Sequence, residues 1–556
     1  MKLQIASLFT LILLSGFLLS ILLTIAYFFG YINAYSLLIL TVVINFVLWL
    51  VSPWISDFIY KIFYKIQWYD FDDFKKKYPQ TATMIKNVCD KYRFKIPKLG
   101  IIPDDNPNAF TYGSGRWNAR LVATEGIYKY LDANEANAVY AHELGHIKNQ
   151  DFIIMTIAST IVQLLYEIYV ITVRTGKKDS DSDKKGNALA LIGLISYIFY
   201  WIGTYVVLFL SRLREYYADE FAAKETGNPN YLISALIKIA YGIIANPDDH
   251  RSSRLMQSTR SMGITDFKVA KGVGLAYYNS KKTNNFLPFK KMLTFDLANP
   301  WAFIAELSST HPLTGKRIRR LSQMEENKKP LFDFSDLGVS IDKNKLYGGF
   351  FKDLMFVILP WSLVVLVPFV LFLSFLVSTF TGQTSLFVRL IDATNLLTIL
   401  GIAVGLFIAG KIASVLYKYS SKEPEKTTVI DLMSDIYASP VRGHSVKLKG
   451  KIIGKGIPGL IYSEDMMLQD ETGLMYLNYQ SGIPIIGNLI FGLTKVDKMI
   501  GQQVTINGWF LRQMFPWVDM NNMETSEGTI KSYVKIWAII SPILLIAFLG
   551  LVLFLF

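Results

Sequence analysis

Cysteine is almost absent from this chain of 556 residues, which contains only Cys89. A single cysteine excludes an internal disulfide, fits a reducing compartment and gives no indication of a zinc site built on thiolates. Charge is also scarce, since Asp, Glu, Lys and Arg make up 18% of the residues, whereas 52% are hydrophobic. The mean hydropathy of +0.32 is high for a soluble protein.

The scarcity of charge leaves seven apolar runs that are long enough to cross a bilayer. They are residues 3–29, 36–55, 152–173, 188–210, 354–380, 393–417 and 534–556. Helices of a soluble core rarely reach this length so many times. We expect the first run to be a retained anchor rather than a cleaved signal peptide, because it is long and a second run follows shortly after it. The sequence predicts a mainly α-helical integral membrane protein of the cell membrane.

Basic residues beside these runs predict the orientation of the polar regions. They follow the second and sixth runs and precede the seventh, which predicts that the large polar regions of the chain lie in the cytoplasm. The loop 174–187 disagrees, because its basic residues lie on the side that the count places outside, and its topology stays open. The net charge of +13 is spread over such loops. It therefore favours contact with anionic lipid, and we expect no nucleic-acid partner.

Histidine is rare, and two of the five histidines lie in the segment 142–146, whose pattern is H-E-x-x-H. Asp132 and Glu135 predict the start of a helix shortly before it. On a helix His142 and His146 share one face and can bind one zinc ion. Glu143 beside them can take a proton from a zinc-bound water. Two unrelated surface histidines are the weaker interpretation, so the pattern predicts a hydrolytic zinc site.

A third ligand is needed, because two histidines do not complete a zinc site. Glu215 and Asp219 lie four residues apart and share one face of a predicted helix. We expect Glu215 to bind zinc, and Asp219 to accept a hydrogen bond from His142 and so fix the tautomer of that ring. The alternative is a charged surface helix, since Arg212 and Glu220 lie nearby.

Five segments resemble, in the family's order, the HtpX-like family of integral-membrane zinc metalloendopeptidases, which are gluzincins related to the CAAX prenyl endopeptidases. The matching segments are 108–110, 122–126, 141–151, 214–219 and 310–312. The resemblance covers about residues 1–325. It implies a gluzincin-type α+β catalytic domain with multiple transmembrane helices, one zinc ion, and endoproteolysis that often acts on membrane proteins. Such enzymes use zinc-activated water with a glutamate as general base, here Glu143.

The resemblance also implies that His311 is a second electrophile for the oxyanion, with a cap or core histidine before Pro312 as the alternative. Arg317 lies close in sequence and could pair with acids of the site. Together with Arg319 and Arg320, however, it is more typical of a solvated or lipid-facing surface.

Two further groups are candidates for supporting roles. Asn108, Ala109 and Phe110 are expected to begin an edge strand that binds extended substrate, and an ordinary turn before a strand is an equally good interpretation. Asp151 is expected either to support His146 by a hydrogen bond or to cap the start of the third apolar run.

Short predicted strands separated by glycine-rich turns follow the sixth run, over 445–453, 466–469, 474–479 and 502–511. Their spacing predicts a small β-barrel that resembles an OB fold. We expect it to serve docking or structure, since no clear aromatic platform lies in a basic groove. The apolar stretch 483–493 is too short to span a bilayer and could dip into its surface.

These patterns divide the chain into seven predicted segments. They are a transmembrane hairpin (1–56), a first catalytic part (57–151), a second hairpin (152–210), a second catalytic part (211–352), a transmembrane pair (353–418), the OB-like barrel (422–531) and a last transmembrane helix (534–556). The predicted function is zinc-dependent endoproteolysis of membrane or misfolded proteins. Alternatives are a CAAX-type prenyl protease and a non-catalytic membrane scaffold with a structural metal site. Glu143 favours the enzyme, because a structural site needs no adjacent carboxylate.

Overall fold

The computed structural model describes residues 26, 30, 32–178, 183–245, 273, 277, 280, 286–324, 329–332, 340–381, 396–456, 463–513 and 516–555. The chain forms two compact units. One comprises Met1–Lys281 with Phe303–Leu337, and the other Lys282–Ala302 with Gly338–Phe556. Residues 282–302 thus group with the C-terminal half, whereas the predicted segment 211–352 placed them in the catalytic half. The apolar run 3–29 lies outside the described residues, apart from residue 26.

The helices are numbered along the chain. They are α1 (Ala34–Phe63), α2 (Phe71–Lys77), α3 (Pro79–Tyr92), α4 (Glu125–Tyr130), α5 (Ala133–Asn149), α6 (Asp151–Lys178), α7 (Asp183–Thr226), α8 (Pro229–Ala245), α9 (Leu287–Ala298), α10 (Pro300–Leu307), α11 (Thr314–Ser322), α12 (Lys343–Thr381), α13 (Leu396–Lys418), α14 (Val429–Met433), α15 (Ile486–Thr494), α16 (Val496–Met499) and α17 (Val534–Leu555). The strands are β1 (Gln67–Tyr69), β2 (Lys98–Ile102), β3 (Ala109–Tyr112), β4 (Arg120–Thr124), β5 (Glu425–Lys426), β6 (His444–Lys455), β7 (Met466–Gln469), β8 (Leu474–Asn478), β9 (Gln503–Arg512), β10 (Pro516–Thr525) and β11 (Gly528–Lys531).

Four of the described helices are long and apolar enough to cross a membrane. They are Ala34–Phe63, Asp151–Thr172, Ile192–Thr226 and Gly401–Lys418. Their apolar side chains are largely exposed in the protein, as a bilayer-covered surface requires. The predicted run 354–380 is also helical, within α12, and so are residues 534–555 of the predicted run 534–556, in α17. These helices confirm an integral membrane protein that is mostly helical.

The helices α6 and α7 form an antiparallel pair. The rings of Tyr166 and Tyr200 lie 5.3 Å apart, and those of Tyr169 and Tyr197 lie 4.8 Å apart, so the two helices run in opposite directions. Side-chain packing between helices is one of the forces that hold membrane helices together, because apolar surface gains little by leaving lipid. The pairing brings Arg214 of α7 to 3.6 Å from Asp151, the residue at which α6 begins.

A four-stranded sheet in the order β1-β2-β4-β3 supports the motif helix. The strand β3 runs antiparallel to β4 and occupies one edge. Its Phe110 and Tyr112 pack with Tyr60 of α1 in one apolar cluster. Side chains alternate along a strand, so Ala109 and Thr111 face the opposite side. That side faces α5, since the Thr111 hydroxyl bonds Glu143.

Five strands of the C-terminal unit close into a barrel. The strand β6 pairs with β7 and β9, β8 pairs with β7 and runs parallel to β10, and β9 and β10 pair to complete the ring. This confirms the predicted small β-barrel, while its assignment to the OB class stays a prediction. The guanidinium of Arg512 in β9 stacks 3.8 Å from the ring of Phe295 and donates to the carbonyl of Met292. These contacts with α9 explain why residues 282–302 belong to this unit.

Candidate active site

The helix α5 presents the two histidines of the motif. It begins with a capping box, in which Asp132 accepts from the backbone N–H of Glu135 while the Glu135 carboxylate accepts from that of Asp132. His142 and His146 then lie one turn apart with ring centroids separated by 4.8 Å. Their Nε2 atoms face each other at 3.2 Å. His142 is fully buried, whereas the side chain of His146 remains 12% exposed.

Glu215 of α7 completes the group. Its two carboxylate oxygens lie 3.6 Å from His142 Nε2 and 3.5 Å from His146 Nε2. One ligand atom from each of the three residues lies within 4.8 Å of the others. The close approach of α7 depends on small residues, because a Cβ at Gly145 would lie 3.2 Å from the Ala218 Cα. The third ligand predicted from its spacing is therefore placed beside the histidines.

A carboxylate lies next to the Nδ1 atom of each histidine, on the side of the ring away from Nε2. Asp219 Oδ1 is 3.0 Å from His142 Nδ1, although the angle is unfavourable for a hydrogen bond, and Asp151 Oδ2 is 2.6 Å from His146 Nδ1. Each carboxylate favours the proton on Nδ1, which leaves the lone pair on Nε2. Asp151 also opens α6, so its two predicted roles are compatible.

This arrangement fits a metal ion. Two Nε2 lone pairs that face each other at 3.2 Å repel unless a cation lies between them. A tetrahedral ion with ligand distances of about 2.0–2.2 Å holds its ligands about 3.4 Å apart, which matches the separations among His142, His146 and Glu215. Burial lowers the pKa of His142, but Asp219 and Glu215 outweigh burial and raise it to about 9. The surroundings therefore favour positive charge at this position.

We call His142, His146 and Glu215 the ligand group. Glu143 lies beside this group without belonging to it. The Thr111 hydroxyl donates to its Oε2 at 3.0 Å, while its Oε1 has no hydrogen-bond partner among the described residues. Burial raises the pKa of the Glu143 carboxyl. A carboxylate with one anchored oxygen, one free oxygen and a raised pKa is suited to accept and return a proton.

His311 reaches the same group from the segment between α10 and α11. It is buried, with Nε2 at 3.8 Å from Glu215 Oε2 and Nδ1 at 3.0 Å from the Thr310 hydroxyl. Arg212 of α7 holds this segment by donating to the carbonyls of Glu306 and Ser309 at 2.7 and 2.8 Å. The imidazole is thus fixed at the edge of the ligand group.

Arg317 is buried and forms a bidentate salt bridge with Asp219, to which its Nε and Nη2 atoms donate at 2.8 and 2.6 Å. The expectation of a solvated or lipid-facing surface is wrong for Arg317, whereas Arg319 and Arg320 are exposed. Burial lowers the pKa of Arg317, but Asp219 outweighs burial and raises it above its ordinary value. Arg317 therefore holds the carboxylate that lies behind His142.

We expect Arg317→Met to destabilise the protein by about 3–5 kcal/mol, because it leaves Asp219 buried without its cation. Arg319→Met is the matched control, and a change on an exposed face shifts stability by about 0.5 kcal/mol or less. The measurement is denaturant unfolding of both variants in the same detergent. Equal midpoints for the two variants would contradict this role of Arg317.

The predicted substrate-binding residues Asn108, Ala109 and Phe110 lie at, or directly before, the start of the edge strand β3. Asn108 is buried, its carbonyl accepts from the backbone N–H of Thr124 at 2.9 Å, and its own backbone N–H donates to the Thr124 hydroxyl at 2.8 Å. The side chain of Phe110 belongs to the apolar cluster with Tyr60, so its ring faces away from the ligand group. Thr111, which the sequence did not single out, is the strand residue that reaches Glu143. Alternation along the strand is the signal that could have identified it.

Comparisons with known proteins match the part of the chain that contains this site. The model of peptidase family M48 matches residues 75–325. A protease HtpX homolog of Methanothermobacter thermautotrophicus is 31% identical over 238 residues, which are 43% of this chain and 86% of that protein. The homolog of Methanocaldococcus jannaschii is 33% identical over 249 residues, 44% of this chain and 75% of that protein.

Among solved structures, the crystal structure of S. mikatae Ste24p aligns with 17% identity and a TM-score of 0.36, covering 57% of this chain and 65% of that one. The family match spans the motif helix, the Glu215 helix and His311, and it ends before α12. By the identity and coverage of its HtpX relatives, this chain belongs to peptidase family M48 and is a membrane metalloprotease.

Proposed function

We propose that the chain binds one zinc ion through His142, His146 and Glu215 and cleaves internal peptide bonds of membrane or misfolded proteins. The observation that carries this proposal is the pair of Nε2 atoms facing each other beside the Glu215 carboxylate. Two imidazoles with one carboxylate suit zinc better than magnesium or calcium, which prefer oxygen ligands. Three protein ligands also leave a fourth position open, as a catalytic site requires.

The side chains divide the chemistry among them. Bound zinc would polarise the scissile carbonyl and lower the pKa of a water to about 7. Glu143 would accept a proton from the attacking water on the oxygen that has no hydrogen-bond partner among the described residues, and would return it to the leaving amine. His311 donates to the oxyanion as it develops, and Thr111 holds the Glu143 carboxylate in place. Asp219 and Asp151 keep the two ligand rings oriented.

The position of the site favours substrates at the membrane. The crossing helix α6 begins at Asp151, which contacts His146 directly. Glu215 lies five residues beyond the predicted run 188–210, which is about 7.5 Å along a helix. The edge strand β3 can pair with an extended substrate backbone, which provides binding without demanding a particular sequence. The basic residues beside the spans favour a cytoplasmic position for this site.

The test of this function is the appearance of new internal N-termini. The purified chain is incubated with an unfolded membrane protein in detergent, and the products are sequenced by mass spectrometry. Internal cuts that depend on the chain support endoproteolysis. A substrate that remains intact with the zinc-loaded chain would instead support a scaffold with a structural metal.

We expect His311→Ala to lower kcat by about 10²–10³-fold, since removing one oxyanion donor has an effect of this size. KM should change little, because the donor acts mainly on charge that develops in the transition state. His444→Ala is the matched control, since His444 is exposed in the barrel, where its Nε2 lies 2.9 Å from a carboxylate oxygen of Glu425. Its kcat should stay within about twofold of the wild type. Equal rates in the two variants would remove His311 from the mechanism.

A further inference from the structure

The helix α15 presents its apolar side chains outward rather than toward the barrel. Its outward side chains are 42–64% exposed and recur at helical spacing, namely Ile486, Leu489, Ile490 and Leu493. The opposite face carries Gly487, Asn488, Phe491 and Gly492, and Phe491 stacks 3.9 Å from the ring of Tyr479. A helix on a soluble domain has the reverse arrangement, with its aliphatic face buried.

The loop before this helix extends the same surface. Ile483 and Ile485 are 68% and 82% exposed. With the four side chains of α15 they form one group of six exposed aliphatic residues, which we call the aliphatic patch. Exposed groups of this kind on a folded domain mark sites that are covered by a partner or by lipid.

The aliphatic patch lies at the level where α17 begins. The backbone N–H of Tyr533 donates to the carbonyl of Gln480 at 2.8 Å, and the indole of Trp537 donates to the carbonyl of Ser481 at 3.1 Å. Asn488 ties α15 to this loop, since its side-chain oxygen accepts from the backbone N–H of Ser481 at 2.8 Å. Trp537 stands only one turn into α17. Tyrosine and tryptophan at the end of an apolar helix sit at the headgroup level of a bilayer.

The apolar helix α13 ends beside the start of α17. The ammonium of Lys535 donates to the carbonyl of Tyr419, just after α13, at 3.3 Å. Val415 and Val534 pack together with Trp509 in one cluster. Both helices therefore enter the membrane beside the loop that carries Ile483 and Ile485.

Three exposed lysines lie close to the aliphatic patch in sequence. Lys495 directly follows α15, Lys498 lies in α16, and Lys531 precedes α17. Aliphatic side chains flanked by lysines are the composition with which a helix lies in the interface of an anionic membrane.

We propose that α15 and its preceding loop insert the aliphatic patch into the bilayer interface, parallel to the surface, so that the barrel is held against the membrane at a third point besides α13 and α17. The occupant is lipid rather than a second copy of the chain, because the patch is continuous through Trp537 with a helix that lipid must already cover. This inference does not depend on the proteolytic chemistry, since it concerns groups outside the M48-matched residues.

The experiment measures how deeply the patch lies in lipid in the full-length protein. Cys89 is the single cysteine and is buried, so Cys89→Ala provides a background without labelling. On it, Ile486→Cys and Ile490→Cys are labelled with bimane and reconstituted into vesicles of zwitterionic and anionic phospholipid. The control is Glu471→Cys, an exposed position in the turn at the opposite end of β8. Monodisperse gel-filtration peaks confirm that the variants are folded.

We expect nitroxide-bearing lipids to remove most of the bimane fluorescence at positions 486 and 490 and little of it at position 471, with aqueous iodide giving the opposite order. Strong iodide quenching at 486 and 490 without lipid quenching would overturn the proposal, because the patch would then face water. Protection of these two labels from both quenchers would also overturn it and would point to contact with a second copy.

Discussion

Glu143→Gln should lower the rate of peptide hydrolysis by about 10²–10⁴-fold while leaving the bound metal in place. The substitution keeps the shape of the side chain but removes the base that accepts the proton of the attacking water. Metal retention is expected because Glu143 lies outside the ligand group of His142, His146 and Glu215. The measurement is a single-turnover rate together with metal content on the same preparation.

Glu220→Gln is the matched control for this change. Glu220 lies on α7 next to Asp219, but its carboxylate pairs with Lys224 at 2.6 Å and with Arg320 at 3.5 Å on the partly exposed face. The control should hydrolyse peptides at nearly the wild-type rate. A Glu143→Gln variant as active as this control would show that another group accepts the proton.

Removal of the metal should abolish hydrolysis, and zinc should restore it while magnesium should not. Magnesium requires near-octahedral oxygen coordination, which two imidazoles and one carboxylate do not provide. Zinc should also raise the melting temperature of the stripped protein, because a ligand that binds only the folded state stabilises it by about 4 kcal/mol at 1,000 times its Kd. The measurement is a melting curve and an activity assay after chelator dialysis, with each metal added back.

Two outcomes would count against this prediction. Full hydrolysis by the stripped protein would show that the chemistry does not need the metal. Equal recovery with magnesium would show that the ligand group selects an oxygen-preferring ion. The melting curve separates a catalytic failure from unfolding, since a stripped protein that stays folded must regain activity with zinc.

The motif helix α5, and the helix α7 that carries Glu215, could each be predicted from the spacing of their own residues. The interval of four between His142 and His146 requires only a helix, and the interval of four from Glu215 to Asp219 requires only another. That these two helices meet could be inferred from the resemblance, and the small side chains at Gly145 and Ala218 allow it physically. The barrel strands β6 to β9 likewise follow from alternation that is visible in single segments.

Features that depend on distant partners could not be read from local pattern. Arg317 stands close to two exposed arginines, and its buried partner Asp219 lies 98 residues away in the sequence. Strand β10 was missed because Pro516 opens it and a bulge between Met520 and Asn522 breaks its alternation. The grouping of 282–302 with the barrel depends on Arg512, which is more than 200 residues further along the chain.

The most direct test of the central claim is the zinc content of three purified proteins. The wild type and Glu143→Gln should each retain one zinc ion per chain after dialysis against metal-free buffer. The double variant His142→Ala, Glu215→Ala should retain none, because two of the three ligands are gone. Zinc that remains at one ion per chain in the double variant, with its circular dichroism unchanged, would contradict the assignment of the metal to this site.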